Sequence, residues 1–527
     1  MIRWRTIPLV VLALATVVSF SGFGRPASAA AAQQGALLLY DSEAKSTPHE
    51  GNIETLQRLL ASFGQAVTVQ SEDDYRSGEM SAYDRVLVVR NAPDLEPRNP
   101  DYIRDLAAYG GSYLQIGGTD IPKRVRDRLA LRVVSSPSAA YRLTAGGYSQ
   151  LLPGMPETDA FTIAGAGGQA YGQVIPESTG AASPYAVSDG TVAYASDLES
   201  GTLTEIALAD LLKDWLKASG DPGMYVLIKE IYPFSDLHLL RSMADKLYGA
   251  GIPFLIAVKP VFYNTDYPAM KRYLQALAYA QSRNGTVVVD APAVAATSTE
   301  DDRSLGGKMT GFLDLLADNG IAPLGMNAPL FWAYDEGYRS AGMKFFDSVF
   351  LQPNDPQLGI SASGATVPFA SSPFSIPFEQ LRQYRPEGGP VRQPLPMETA
   401  LTFDFFRDEA QLDDSVAALS DSWIPFADYK SGVHAVQTEN RETHSGGGVL
   451  FVNGKSVDLN GASEEVDGDY AYTQQADVSL KKLFSVQNRI LMVVFLAVLS
   501  LFFLFLFLGY RRYKRKFYHF GGRNDAL

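Results

Sequence analysis

The chain contains no cysteine, which excludes disulfides, thiolate nucleophiles and cysteine-ligated metals. Histidine is nearly as scarce: His49, His238, His434, His444 and His519 are the five present. None falls between His238 and His434, so that stretch has no imidazole to ligate a metal or carry a proton. P-loop, GxGxxG and GxSxG patterns are missing as well, which removes the familiar phosphate cradles and the serine nucleophile elbow. Positive charge is in deficit. The formal net charge is −13, and basic residues cluster at the two ends, so the intervening chain is more acidic still. An acidic exterior argues against binding nucleic acid or anionic polymers.

What is present begins with length: 527 residues give room for two or three domains. Arg3 and Arg5 precede an apolar run from Ile7 to Phe20, and the small residues Ala27–Ala29 follow. This is the layout of a cleavable signal peptide over residues 1–29. Near the other end, Ile490–Tyr510 holds no charged residue, and its length suffices to cross a bilayer core of about 30 Å. Arg511–Lys516 reads RRYKRK directly after it. Basic loops stay on the cytoplasmic side. The expectation is therefore a single-pass cell-membrane protein with an extracytoplasmic ectodomain and a short basic cytoplasmic tail over 511–527.

Between the ends, apolar runs alternate with helical spacing. GALLLYDSEA (Gly35–Ala44) reads as a buried parallel strand, Asn52–Gly64 as a helix with a glycine stop, and Asp84–Ala92 as another strand. From about Val133 to Ser200, short alternating pieces and glycine turns dominate. The amphipathic stretch Thr204–Gly220 reads as the last helix of a first α/β domain over 31–220. A second α/β run starts at Tyr225, with strands separated by helices of ten to fifteen residues. That rhythm suits a barrel-like or open parallel sheet over 222–435, followed by a β-rich stem over 436–489.

The second run, in YPFSDLHLLRSMADKLYGAGIPFLIAVKPVFYN and YLQALAYAQSRNGTVVV, resembles the NodB-homology polysaccharide deacetylase superfamily, and more narrowly a membrane-anchored branch of it with degenerate catalytic motifs. The resemblance covers roughly Tyr225 to Ala435. The first domain, with its LLLYD opening, is similar to the flavodoxin-like or amidotransferase-like domain that precedes such modules. The resemblance implies a deacetylase-like (β/α) barrel. In the superfamily a divalent metal activates water and a carboxylate takes its proton. That chemistry uses an Asp-Asp pair at the first strand end and His-x-x-x-His at a later one. Here those positions fall on Lys229 and Glu230, and on Asp290 and Val294. Valine has no ligating atom and lysine repels a cation, so no metal and no cofactor is expected.

Each candidate residue has two readings. Lys229 and Glu230 form either a new acid/base pair or a neutralised remnant. Glu230, Asp290 and Asp404, all at strand ends, either line a cleft as glycosidase-like carboxylates or are solvated caps. Phe331, Trp332 and Tyr334 either stack on sugar rings or pack the core. Asp41 and Ser42 follow the first strand, where open α/β sheets place ligands, or cap a helix. The first expectation is a pseudoenzyme that binds an envelope or exopolysaccharide glycan or the partner that handles one. An active carbohydrate hydrolase with a rebuilt carboxylate site, and a scaffold of a membrane complex, are the alternatives.

Overall fold

The computed structural model describes residues 35–135, 137–154, 161–220, 222–292, 299–360, 363–386, 395–422, 424–459 and 476–517. The expected signal peptide, Val294 and the end of the basic tail lie outside them. The chain forms two compact units, Met1–Val466 and Asp467–Leu527.

The first unit opens with alternating strands and helices. They are β1 (Ala36–Tyr40), α1 (Asn52–Ser62), β2 (Val67–Ser71), β3 (Arg85–Val89), α2 (Pro100–Ala108), β4 (Ser112–Ile116) and α3 (Lys123–Leu129). Then come β5 (Arg132–Ser135), β6 (Ala140–Ala145), β7 (Tyr148–Pro153), β8 (Phe161–Gly165), β9 (Gln169–Pro176), β10 (Ser183–Ser188), β11 (Val192–Ala195) and α4 (Thr204–Trp215). β1 is apolar at every position and buried at every position, as a strand covered on both faces must be. Leu38 and Tyr40 share a core with Ile53, Leu56 and Leu60 of α1, while Leu37 and Leu39 share the opposite one with Tyr102 of α2 and Val125 of α3.

Asp210 on α4 is held in this packing at a cost. Burial pushes its carboxyl up to about 6, with Lys213 opposing and Asp214 adding. The unfolded chain ionises more readily, so stability is lost as pH rises from about 4 through 6. Asp210→Asn is expected to stabilise the protein by about 1–3 kcal/mol at pH 7. The gain should vanish below about pH 4, as thermal melts across pH will show.

A second sheet follows. Its strands and helices are β12 (Met224–Ile231), α5 (Leu237–Gly249), β13 (Phe254–Val258), α6 (Pro268–Ser282), β14 (Gly285–Asp290), α7 (Thr299–Asp318), β15 (Pro323–Pro329) and β16 (Val349–Gln352). β18 (Phe374–Pro377), β20 (Thr399–Asp404) and α8 (Glu409–Asp421) complete it, with the two-residue β17 (Gly364–Ala365) and β19 (Arg385–Pro386) lying before and after β18 in the chain. The order β16-β15-β14-β13-β12-β20-β18 is parallel throughout. The two edges nearly meet. Val349 N–H donates to Ser371 just ahead of β18 (2.9 Å), and Gln352 Nε2 donates to Ser375 Oγ (2.9 Å). Side chains alternate in the pattern a barrel requires. Leu227, Leu255, Val288, Leu324, Phe350 and Ala400 share the inner core, while Val226, Ile228, Ile256, Val287 and Leu401 belong to the helix-facing one.

β17 and β19 do not stay with the barrel. They pair with β2 and β7, so segments from within the barrel stretch edge the first sheet on both sides: β17-β2-β1-β3-β4-β11-β10-β9-β6-β7-β19. The first five strands after β17 are parallel and the rest antiparallel. A small sheet, β21 (Ala435–Gln437) to β24 (Lys455–Ser456) with β22 (Glu442–Gly446) and β23 (Val449–Val452) between, packs on the lower end of the barrel. There Thr443 Oγ1 donates to Pro323 O (2.7 Å), and Leu450 joins the inner core. Among its described residues the second unit contains one long helix, α9 (Ala476–Phe517). Its Leu491–Arg512 segment, with mean hydropathy 3.1, is long and apolar enough to cross a membrane.

Candidate functional site

Inward-facing positions of the barrel become polar at the upper, C-terminal ends of the strands. Counting by twos from Leu227 reaches Lys229, and from Leu255 reaches Lys259. Asp290 on β14, Asn327 on β15, Gln352 on β16, Ser375 on β18 and Asp404 on β20 occupy matching places. Their side chains link across the strands. Lys229 Nζ lies 3.3 Å from Asp404 Oδ1, its register partner. Lys259 Nζ lies 3.2 Å from Asp290 Oδ2. Asn327 Nδ2 donates to Asp290 Oδ1 (2.5 Å) and accepts on Oδ1 from Gln352 Nε2 (2.8 Å), which also reaches Ser375. Asp290, Asn327 and Ser375 are buried, whereas Asp404 is largely exposed. The ring is thus sealed on the β14–β18 side and open over β20, β12 and β13.

Glu230 sits on that opening. It is exposed, with φ +63°, a backbone region unfavourable to a side-chain-bearing residue. The β12–β13 register shifts between Ile228 and Ile231, and this irregularity turns Glu230 out of the strand alternation. Aromatic rings border the opening. Tyr232 and Phe234, just after β12, stack at 4.8 Å with 19° between planes, and Phe234 is 63% exposed. Tyr263, in the loop after β13, is 68% exposed. Burial pushes the Tyr232 hydroxyl above its ordinary value, with Lys259 opposing and Glu230 and Asp290 adding, so its ring stands beside the polar ring. Next to Tyr263, the β13 loop and α7 border a cleft of about 570 Å³ lined by Val261, Phe262, Gly307, Lys308 and Gly311.

The other anticipated residues lie elsewhere. Trp332 is 1% exposed, with Phe331 and Tyr338 against it, and a Cβ on Gly342 would run into its ring. The expectation of a free stacking face at Trp332 is therefore corrected: the indole is core. Phe331 and Tyr334 are half-buried in the same turn after β15, and the Tyr334 hydroxyl accepts from Asn354 Nδ2 (3.3 Å). Asp41 and Ser42 belong to the first sheet. Asp41 accepts from the backbone N–H groups of Asn91 (2.9 Å) and Ala92 (3.0 Å), and burial pushes its carboxyl up against the opposing pull of Arg90. It ties β1 to the β3 loop; the residue at the N-cap of α1 is Gly51. Ser42 Oγ accepts from Ala44 N–H (3.0 Å). Nearby, His49 Nδ1 meets Asn91 O (2.9 Å) and Nε2 meets Asp197 Oδ1 (3.1 Å), a second polar cluster at the upper edge of that sheet.

Among the described residues, no three His, Asp or Glu side chains converge to hold a metal ion. Sequence reasoning named Lys229, Glu230, Asp290 and Asp404 and missed Lys259, Asn327, Gln352, Ser375, Tyr232, Phe234 and Tyr263. Strand parity was the available signal for Lys259 and Gln352, and it breaks at Asn327.

Fold and site together define a mixed α/β protein with a nearly closed parallel barrel, a polar ring at its upper end and one apolar C-terminal helix able to span a membrane. No family model matches the chain. It is 24% identical over 343 residues to the uncharacterized protein YdaL of Bacillus subtilis (strain 168), in an alignment taking in 48% of this chain and 59% of that protein. The chain thus spans about three-fifths of that relative's length.

Proposed function

We propose that the chain is a membrane-anchored pseudoenzyme of the polysaccharide deacetylase type whose barrel mouth binds an envelope or exopolysaccharide glycan. The observation that carries this reading is the conjunction at one opening of exposed rings, Phe234 and Tyr263, with the ion-paired donors and acceptors Lys229, Asp404 and Lys259. Sugar rings present an apolar face to an aromatic ring and hydroxyls to paired polar groups. Asp404 and Asp290 are already committed to Lys229 and Lys259 and are not free to ligate a divalent cation, which supports binding without the superfamily's metal chemistry. The apolar Leu491–Arg512 segment supports anchoring, and the basic residues that follow it support an outward-facing barrel behind a signal peptide and a flavodoxin-like first domain.

The test is affinity electrophoresis of the protein in gels containing envelope polysaccharides. Phe234→Ala combined with Tyr263→Ala is expected to weaken binding about tenfold or more, since truncating an aromatic anchor of a binding surface typically costs about 1 kcal/mol or more. Both rings are exposed, so thermal stability should hold. Unchanged retardation by any polymer that binds the wild type would count against this mouth as the site.

The positive φ of Glu230 favours a second reading, an active hydrolase with a rebuilt carboxylate site, because backbone strain concentrates at functional positions. That reading requires product release from such polymers that Glu230→Gln abolishes.

A further inference from the structure

We infer that the barrel mouth is built for an uncharged sugar unit and turns away uronates and other anionic glycans; this rests on the glycan-binding reading above. Both cations at the opening are matched. Lys229 is held 3.3 Å from Asp404, and Lys259 is held 3.2 Å from Asp290, each pair bridging neighbouring strands. Neither ammonium offers a net positive field to an incoming carboxylate, which would have to displace a carboxylate already in place. The Asp290 pair is the harder to disturb. Its carboxylate is buried and also receives the Asn327 amide.

Glu230 adds negative charge at the same opening, and among the described residues no basic group comes within ion-pair distance of it. Asp236, which caps α5, and Asp266 lie in the rim loops after β12 and β13, against Arg407 after β20 and Lys308 beside Tyr263. With Asp408, which caps α8 next to Arg407, these rim loops carry three acids against two bases, and the mouth within them is negative by one more charge. A neutral sugar meets a different surface. Its vicinal hydroxyls each donate and accept, and a bound ammonium–carboxylate pair sets donors and acceptors side by side. The exposed rings of Phe234 and Tyr263 supply contact that is indifferent to charge. The acidic chain as a whole acts in the same direction on an anionic polymer.

Asp404 is the residue through which this selectivity can be reversed. Its side chain is 72% exposed, so Asp404→Asn leaves packing intact while releasing Lys229 from its partner. The experiment is calorimetric titration of the detergent-solubilised full chain with short oligomers of glucose, of N-acetylglucosamine and of galacturonate, at low salt. The wild type is expected to bind a neutral oligomer at least about tenfold more tightly than the galacturonate oligomer. Asp404→Asn is expected to gain about tenfold in affinity for the galacturonate oligomer, a gain that added salt removes. Wild-type binding of galacturonate as tight as that of the neutral oligomers overturns the selectivity while leaving glycan binding standing, and so does an Asp404→Asn variant whose galacturonate affinity does not move. Binding of no oligomer by either protein overturns both.

Discussion

Arg58→Ala is expected to destabilise the protein by about 3–5 kcal/mol. It should also lower the unfolding midpoint of the first sheet and the barrel by the same amount. Arg58 lies on α1, yet its guanidinium is spent on the barrel. Nε donates to Leu351 O (3.1 Å), the outer nitrogen donates to Ser375 O (2.5 Å), and the group lies 4.5 Å over the Phe374 ring. Those carbonyls belong to β16 and β18, the strands between which the barrel is not quite closed. Arg58 therefore acts as the staple across the seam, supplied by a helix of the other sheet. Burial lowers its proton affinity, and Glu205 and Glu54 act against that. Truncation takes a donor from each of two carbonyls, removes a nearby positive charge from the buried Glu205, and leaves a cavity beside Phe374. Arg58→Lys keeps the charge but loses the planar fork, so an intermediate loss is expected. The measurement is urea unfolding of single-tryptophan variants, with Trp215 reporting on α4 and Trp332 on the barrel. Coincident shifts at both probes mean the two sheets unfold as one unit; a shift at Trp332 alone would sink that claim.

Such a joint transition follows from how the sheets are interleaved, and little of that was legible beforehand. The alternation of apolar strands and amphipathic helices announced parallel α/β architecture because buried strands and covering helices carry distinct periods. The apolar run near the end was equally plain, since no soluble helix needs so many apolar faces. β17 and β19 were invisible because two residues carry no period. They were placed by the edges of β2 and β7. In the polar ring, Lys229, Glu230, Asp290 and Asp404 stood out as charges at the ends of apolar runs. Asn327 did not, because the register slips between Val287 and Val289 against β15 and the parity count breaks there, and Gln352 did not, because an uncharged amide closing a short apolar run does not stand out as a charge does. The aromatic residues show the limit most clearly. Trp332 and Phe234 both follow strands, and nothing in the local sequence says that Gly342 and Tyr338 enclose one while the other stays in solvent.

Asp290→Ala carries the second large effect, and it separates a ring that acts as a unit from a set of independent contacts. Asp290 is 2% exposed and is the point where the charged half of the ring joins the amide half. Its Oδ1 receives Asn327, while Oδ2 has Lys259 at ion-pair distance without a hydrogen bond of good geometry. Removing it strands both neighbours. Asn327 loses its acceptor deep in the barrel, which costs about 1–3 kcal/mol on its own. Lys259 loses its counter-charge, but its side chain is 27% exposed and can turn toward water, so this part falls below the full cost of an orphaned buried ion. The sum expected is about 2–4 kcal/mol. Lys259→Met alone leaves Asp290 buried with its charge opposed only by the Asn327 amide, and should cost as much. The double variant removes both charges and should cost less than the two single losses together, with a coupling of about 1–3 kcal/mol. Denaturant unfolding of the four proteins closes this cycle. Strict additivity would mean that Lys259 and Asp290 do not sense each other, and the matched-charge mouth on which neutral-sugar selectivity depends would then lose one of its two pairs.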